Sequence, residues 1–213
     1  MRVAELAPGL WRWTARHPDW TADEDWDEAV GCIYWEGDDA VCLVDPLVPG
    51  EREERERFWQ HLDEDVRRAD RPVAVVLTLF WHERSADEIA RRYGAEVWAH
   101  ADSLDRLDVT VQHPFRAGDP LPGGIAAIEV ARRGEVVLLL PGGALVAGDV
   151  LIGDGSGGVR VCPDSWFRDP EGPAKARAAL RPLLDRELEL LVVSHGDPVT
   201  SGARAALARA LDA

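Results

Sequence analysis

Cysteine is scarce in this sequence. Cys32, Cys42 and Cys162 are the only three, and no two of them stand in a C-x-x-C spacing. An odd set so placed excludes a disulfide framework and a zinc knuckle, and fits buried thiols in a reducing compartment. Long apolar runs are missing as well. The longest charge-free stretches, 72–82 and 136–148, fall short of the roughly 20 residues a membrane span needs, and the second is broken by Pro141, Gly142 and Gly143. The opening MRVAELAPGLWRW lacks the charged-then-apolar pattern of an export signal, so a cytoplasmic location is expected. Positive charge is in deficit: 24 Lys and Arg face 39 Asp and Glu, a net charge of −15. Such a surface repels phosphate backbones and anionic lipid, which argues against nucleic acid and membrane as partners. The glycine clusters at 142–143 and 153–158 do not spell a G-x-G-x-x-G opening a helix, so no dinucleotide site is implied.

What the chain does hold is enough apolar material for a core: 213 residues, 46% of them hydrophobic, with nine tryptophans. The length suits one domain over 1–213. Segments 9–15, 30–35 and 40–44 read as strands, with Glu36-Gly37-Asp38-Asp39 as a hairpin connection. Between the first two lies an acidic, tryptophan-containing excursion, 17–28. Phe58, Leu62 and Val66 at i, i+4, i+8 predict an amphipathic helix over 51–67. The run 73–77 predicts a buried strand, and Ser85-Ala86-Asp87-Glu88 a capping box opening a helix that ends at Gly94. Segment 96–99 is a further strand. Strands follow at 125–130, 135–140 and 144–152, then a helix from Pro173 that Pro182 splits, a strand at 188–193 and a terminal helix over 202–211. Two halves, each of strands then helices, imply an α/β protein in which two mixed sheets pack face to face with helices outside, an αββα four-layer sandwich.

In layered α/β folds chemistry collects where strands end. Four such ends carry polar residues: Asp45, the segment 78–84, Asp149, and Ser194-His195-Gly196. Their order and contents resemble the metallo-β-lactamase fold superfamily over essentially the whole chain. Members of that superfamily are αββα sandwiches, mostly hydrolases, holding one or two metal ions at the sheet edges. Their T-H-x-H-x-D-H motif corresponds here to Thr78-Leu79-Phe80-Trp81-His82-Glu83-Arg84. Leu79 and Trp81 stand at the first two histidine places, Glu83 at the aspartate and Arg84 at the last histidine. Arg132, or its neighbour Arg133, falls at the downstream histidine. Asp149 and His195 match directly, and Asp45 stands where the family often supports its site from behind.

Leucine, tryptophan and arginine offer a metal no ligand atom, so the sequence assigns no metal ligand and no cofactor. Two buried acids need neutralising, and the expectation is that Arg84 and Arg132 take over the cations' charge beside Glu83 and Asp149. Glu83, Asp149 and His195 are then the candidate catalytic groups, with Trp81, His82, Arg84, Arg132 and Arg133 as ligand-binding residues. The implied role is metal-independent binding of a small anionic ligand or a partner, or metal-free hydrolysis. The alternative is a metal-dependent, glyoxalase-like hydrolase of esters or thioesters with a remodelled ligand set that includes His82. Trp20, Trp26 and Trp166 lie in loops and are expected to line a groove mouth or a homodimer contact.

Overall fold

The computed structural model describes Met1–Asp212. Its first sheet runs β1 (Arg2–Ala7), β2 (Leu10–Arg16), β3 (Ala29–Glu36), β4 (Val41–Val44), then after helix α1 (Arg52–Ala69) β5 (Val73–Val76), and after α2 (Ala86–Tyr93) β6 (Glu96–His100) and β7 (His113–Phe115). These seven strands lie side by side in chain order, antiparallel from β1 to β4 and parallel from β4 to β7. The second half supplies β8 (Ala126–Glu129), β9 (Val136–Leu140) and β10 (Ala144–Ala147), a hairpin of β11 (Leu151–Gly153) and β12 (Val159–Val161), helix α3 (Gly172–Leu180), β13 (Leu190–Val193) and helix α4 (Ala203–Asp212). The second sheet has the order β13-β10-β9-β8, with β13 parallel to β10. Among the described residues no helix is long and apolar enough to cross a membrane.

The strand period of two explains the layers. In β4, Val41 and Leu43 face α1 and α2, packing with Phe58, Leu62 and Ile89, while Cys42 and Val44 face the second sheet. In β13, Leu191 and Val193 face α3 and α4, while Leu190 and Val192 turn back toward the first sheet. Strands buried on both faces must be apolar at every position, which is why β4, β5, β10 and β13 read as continuous runs. The αββα architecture expected from the sequence is the one observed.

Several local expectations change. Strand β1 is largely exposed and carries no apolar alternation to betray it. The run 144–152 is two strands, because Gly148-Asp149-Val150 turns out of the second sheet before β11 begins. Ser85 does not cap α2: its hydroxyl accepts from Val48 N at 2.9 Å, tying the segment after β4 to the helix start. Pro182 does split its helix, α3 giving way at Arg181 to a 3-10 turn. All three cysteines are buried and free.

The 36–39 hairpin touches the second half at one tight point. A Cβ on Gly37 would overlap the backbone of Gly123, whose own φ is +69°. Gly37→Ala is therefore expected to lower stability by about 2 kcal/mol or more, since backbone rather than a movable side chain must give way; a denaturant midpoint unchanged from the parent would show that the hairpin slides at no cost.

Candidate functional site

Both sheets end at one edge, and short backbone bonds stitch them there to each other and to the β11–β12 hairpin. Gly31 N donates to Ser194 O at 2.7 Å, Gly153 N to His195 O at 2.8 Å, and Val136 N to Thr78 O at 2.9 Å. Gly196 allows this closeness. Its φ is +99°, and a Cβ there would lie 2.7 Å from Gly153 Cα, so the glycine after His195 is required both by conformation and by space.

Asp45 ends β4 with a φ of +48° and is buried. Thr78, at the end of β5, fixes its carboxylate through N to Oδ1 (2.8 Å) and Oγ1 to Oδ2 (2.5 Å). Residues Phe80–His82 then form a single 3-10 turn. That turn brings His82 inward, fully enclosed, with Nδ1 2.8 Å from Asp45 Oδ2 and Nε2 3.1 Å from Asp149 Oδ1. His195, on the loop after β13, puts its Nε2 3.2 Å from the same Asp149 Oδ1. Trp81 Nε1 donates to the other oxygen, Oδ2, at 2.6 Å.

Burial and the neighbouring Arg84 push the His82 pKa down, but Asp149 and Asp45 on either side outweigh them and the net shift is upward. Burial pushes Asp149 up, and the two imidazoles more than reverse it, holding the carboxyl well below its usual range.

Glu83, by contrast, leaves the cluster. It closes the 3-10 turn in helical conformation, and its Oε2 accepts from Asp108 N at 2.8 Å. The expected pairing of Arg84 and Arg132 with Glu83 and Asp149 is not what the structure holds. Arg84 donates to Gly31 O (3.2 Å), Asp45 O (3.0 Å) and Ser194 Oγ (2.8 Å). Arg132 pairs with Glu135 at 2.7 Å, its guanidinium lying between the Trp81 and Phe167 rings. Arg133 is exposed and points to Asp105. The physical reason is the turn: bending after Leu79 swings Glu83 out and His82 in, and acceptors at the strand ends then claim Arg84.

Glu135 went unnoticed in the sequence because it opens an apolar strand run; Arg132 three residues earlier was its only signal. Its Oε1 accepts from Asp149 N and Val150 N at 3.1 and 2.8 Å, shaping the turn that carries Asp149. Burial pushes its pKa up to about 7, against the pull of Arg132. A carboxyl whose folded pKa is raised binds its proton more tightly in the native state, so its ionisation costs stability as pH rises from about 4.5 through 7. In chelator, Glu135→Gln should therefore remove a pH-dependent loss of up to about 3 kcal/mol between pH 5 and 8; parallel pH profiles for variant and parent would contradict this.

The cavity over His82, Asp149 and His195 measures about 460 Å³ and is lined also by Trp26, Trp81, Trp166 and Arg132. Trp26 and Trp166 meet the His195 ring edge-on at 5.2 and 5.8 Å between centroids. Two of the three loop tryptophans thus line the groove mouth.

The three ligand atoms of His82, Asp149 and His195 all lie within 4.8 Å of one another. Asp149 Oδ1 is shared between the two Nε2 atoms, within pairing distance of both imidazoles. Donors held by a shared zinc ion about 2.0–2.2 Å away stand about 3.3 Å from each other in a tetrahedron, close to the 3.1 and 3.2 Å seen here. The residues fit one metal ion with three protein ligands and a side open to the cavity. They do not furnish a second site, since Leu79, Trp81, Arg84 and Arg132 supply no ligand atom.

No protein-family model and no curated protein sequence matches the chain. Solved structures do. DIM-1 metallo-beta-lactamase aligns with a TM-score of 0.72 at 12% identity, over 99% of this chain and 96% of that one. Metallo-beta-lactamase IND-7 aligns at 0.65 and 17% identity, over 100% and 98%. A metallo-beta-lactamase family protein from Thermus thermophilus aligns at 0.66 and 18% identity, over 96% and 79%. With its seven- and four-stranded sheets, its outer helices and its cluster at their common edge, the chain has the metallo-β-lactamase fold.

Proposed function

We propose that this protein is a hydrolase of small ester or thioester substrates that works with one divalent metal ion held by His82, Asp149 and His195. The observation that carries the reading is the convergence of one carboxylate oxygen and two imidazole nitrogens, all within 4.8 Å of one another beside the cavity. An ion held there supplies Lewis-acid polarisation of a scissile carbonyl and acidifies water. The chain's own groups do the rest. Asp45 accepts from His82 Nδ1 and so keeps the Nε2 lone pair directed at the cluster. Trp81 occupies Asp149 Oδ2 and so turns Oδ1 toward the two imidazoles. Trp26 and Trp166 cover His195 and narrow the access of bulk water.

Elemental analysis of untagged protein after exposure to zinc, manganese or iron tests this. About one equivalent per chain is expected, lost in His82→Ala and in His195→Ala. Retention below about a tenth of an equivalent, with any esterase activity indifferent to chelator, would sink the reading and leave Asp149 and His195 as a metal-free base pair.

A further inference from the structure

The two imidazoles of the cluster are held in different ways. His82 has Asp45 at its Nδ1 to fix the ring. The Nδ1 of His195 is buried without a partner, and its ring packs against Trp26 and Trp166. A metal-ligating histidine ordinarily takes its orientation from a group bonded to its second nitrogen. Lacking one, His195 depends on its backbone for direction.

That backbone is gripped on both sides. Before His195, Ser194 O accepts from Gly31 N at 2.7 Å and Ser194 Oγ from Arg84 at 2.8 Å. After it, Gly196 O accepts from Arg12 Nη2 at 2.7 Å, and the same nitrogen reaches back to Val193 O at 3.5 Å. Arg12 therefore spans the loop from Val193 to Gly196 and brackets His195. Its reach is built into two strands. Arg12 lies on β2 opposite Ile33, with Gly31 its diagonal neighbour on β3. A Cβ at Gly31 would stand 2.7 Å from Arg12 Nε and Nη2 and 2.9 Å from Val193 O, so a residue without a side chain there leaves the guanidinium its path across the strand.

Arg12 is also a costly residue for this place. It is 8% exposed, both its acceptors are neutral carbonyls, and among the described residues no carboxylate pairs with it. Burial draws its pKa down. An apolar side chain of similar length would fill the volume without desolvating a charge. What the guanidinium adds is the hold on the two carbonyls, which its charge makes stronger than a neutral donor could.

We propose that Arg12 is the positioning residue of His195, fixing the loop 193–196 so that His195 Nε2 stands beside Asp149 Oδ1 before any ion arrives. The ion rests on the hydrolase reading; the hold on the ring does not.

Arg12→Met and Arg12→Lys test it, compared with the parent in zinc affinity, by competition with a chromophoric chelator, and in the NMR signals of the histidine rings of chelated protein. Arg12→Met should weaken zinc binding at least about tenfold and shift or split the His195 ring signals well beyond any change at His82. Arg12→Lys keeps the charge but brings one ammonium to two acceptors, and should recover only part of the affinity. An arginine that served stability alone would lower the melting temperature of Arg12→Met and leave the folded protein with parental zinc affinity and unmoved His195 signals, a result that overturns the proposal. Should methionine prevent folding, the lysine variant decides: a displaced His195 signal with weaker zinc binding supports the assignment, and parental values of both overturn it. A parent protein that retains no zinc would remove the hydrolase reading alone, because the ring signals in chelator still decide the role of Arg12. Zinc bound equally well by parent and both variants would remove this proposal alone.

Discussion

Replacing Asp149 by asparagine should abolish metal retention while leaving the fold in place. Asp149 Oδ1 is the one atom close to both His82 Nε2 and His195 Nε2, and an amide oxygen there keeps the shape but removes the charge that draws a divalent cation into a buried site. Affinity for zinc should fall at least about a hundredfold, beyond the 10- to 100-fold typical of losing a supporting group. The same change should erase the stabilising effect of metal. With free zinc at a thousandfold excess over its dissociation constant, the parent protein gains about 4 kcal/mol, and its denaturation midpoint should drop on adding chelator, whereas that of Asp149→Asn should not move. In chelator, the variant loses the partner of His82 but also relieves the repulsion of Asp149 on Glu135, so its stability should stay within about 2 kcal/mol of the parent. A variant that still holds a full equivalent of zinc would place the metal elsewhere.

Asp149 and His195 were legible in the sequence because each follows an apolar run that is buried on both faces, and the end of such a run is where a polar residue meets a loop. The strands themselves were legible for the same reason. Strands β1, β7 and β12 were not, being exposed or only three residues long, and neither condition leaves a periodic trace. The larger failure was one of rotation. The segment 78–84 contains His82 and Glu83 side by side, and only one can face the groove. Counting from the family's motif selects Glu83; the 3-10 turn selects His82, because a turn of three residues after Leu79 points the third side chain back toward Asp45. Nothing in the residue types distinguishes a turn from an extended approach here. Arg84 borders the groove but does not pair with Glu83 or Asp149: its partners are two backbone carbonyls and a hydroxyl, and backbone acceptors carry no residue-type signature.

That role makes Arg84 the position where substitution should be most damaging to stability. Its guanidinium joins β3 at Gly31, the end of β4 at Asp45 and the loop after β13 at Ser194, bracing the second sheet's loop against the paired strands β3 and β4 of the first. The residue sits at a φ of +42°, a conformation that costs a non-glycine residue about 1 kcal/mol or more, and it stays there because those three acceptors over-determine it. Arg84→Met keeps much of the apolar stem but strands the acceptors, and should cost about 3–5 kcal/mol in chelator. Arg84→Lys keeps the charge and loses the fork, and a single ammonium cannot span all three acceptors, so it should recover less than half of that loss. If charge alone mattered, lysine would restore nearly all of it, and equal stability of Arg84→Lys and the parent would show that the clamp is unnecessary. Comparing Arg84→Gly with Arg84→Ala isolates the backbone contribution: glycine should be the more stable by about 1 kcal/mol, because it adopts a positive φ without strain. Alanine equal to glycine would mean that the loop relaxes once the guanidinium is gone, and that the strain exists only because Arg84 is pulled into place.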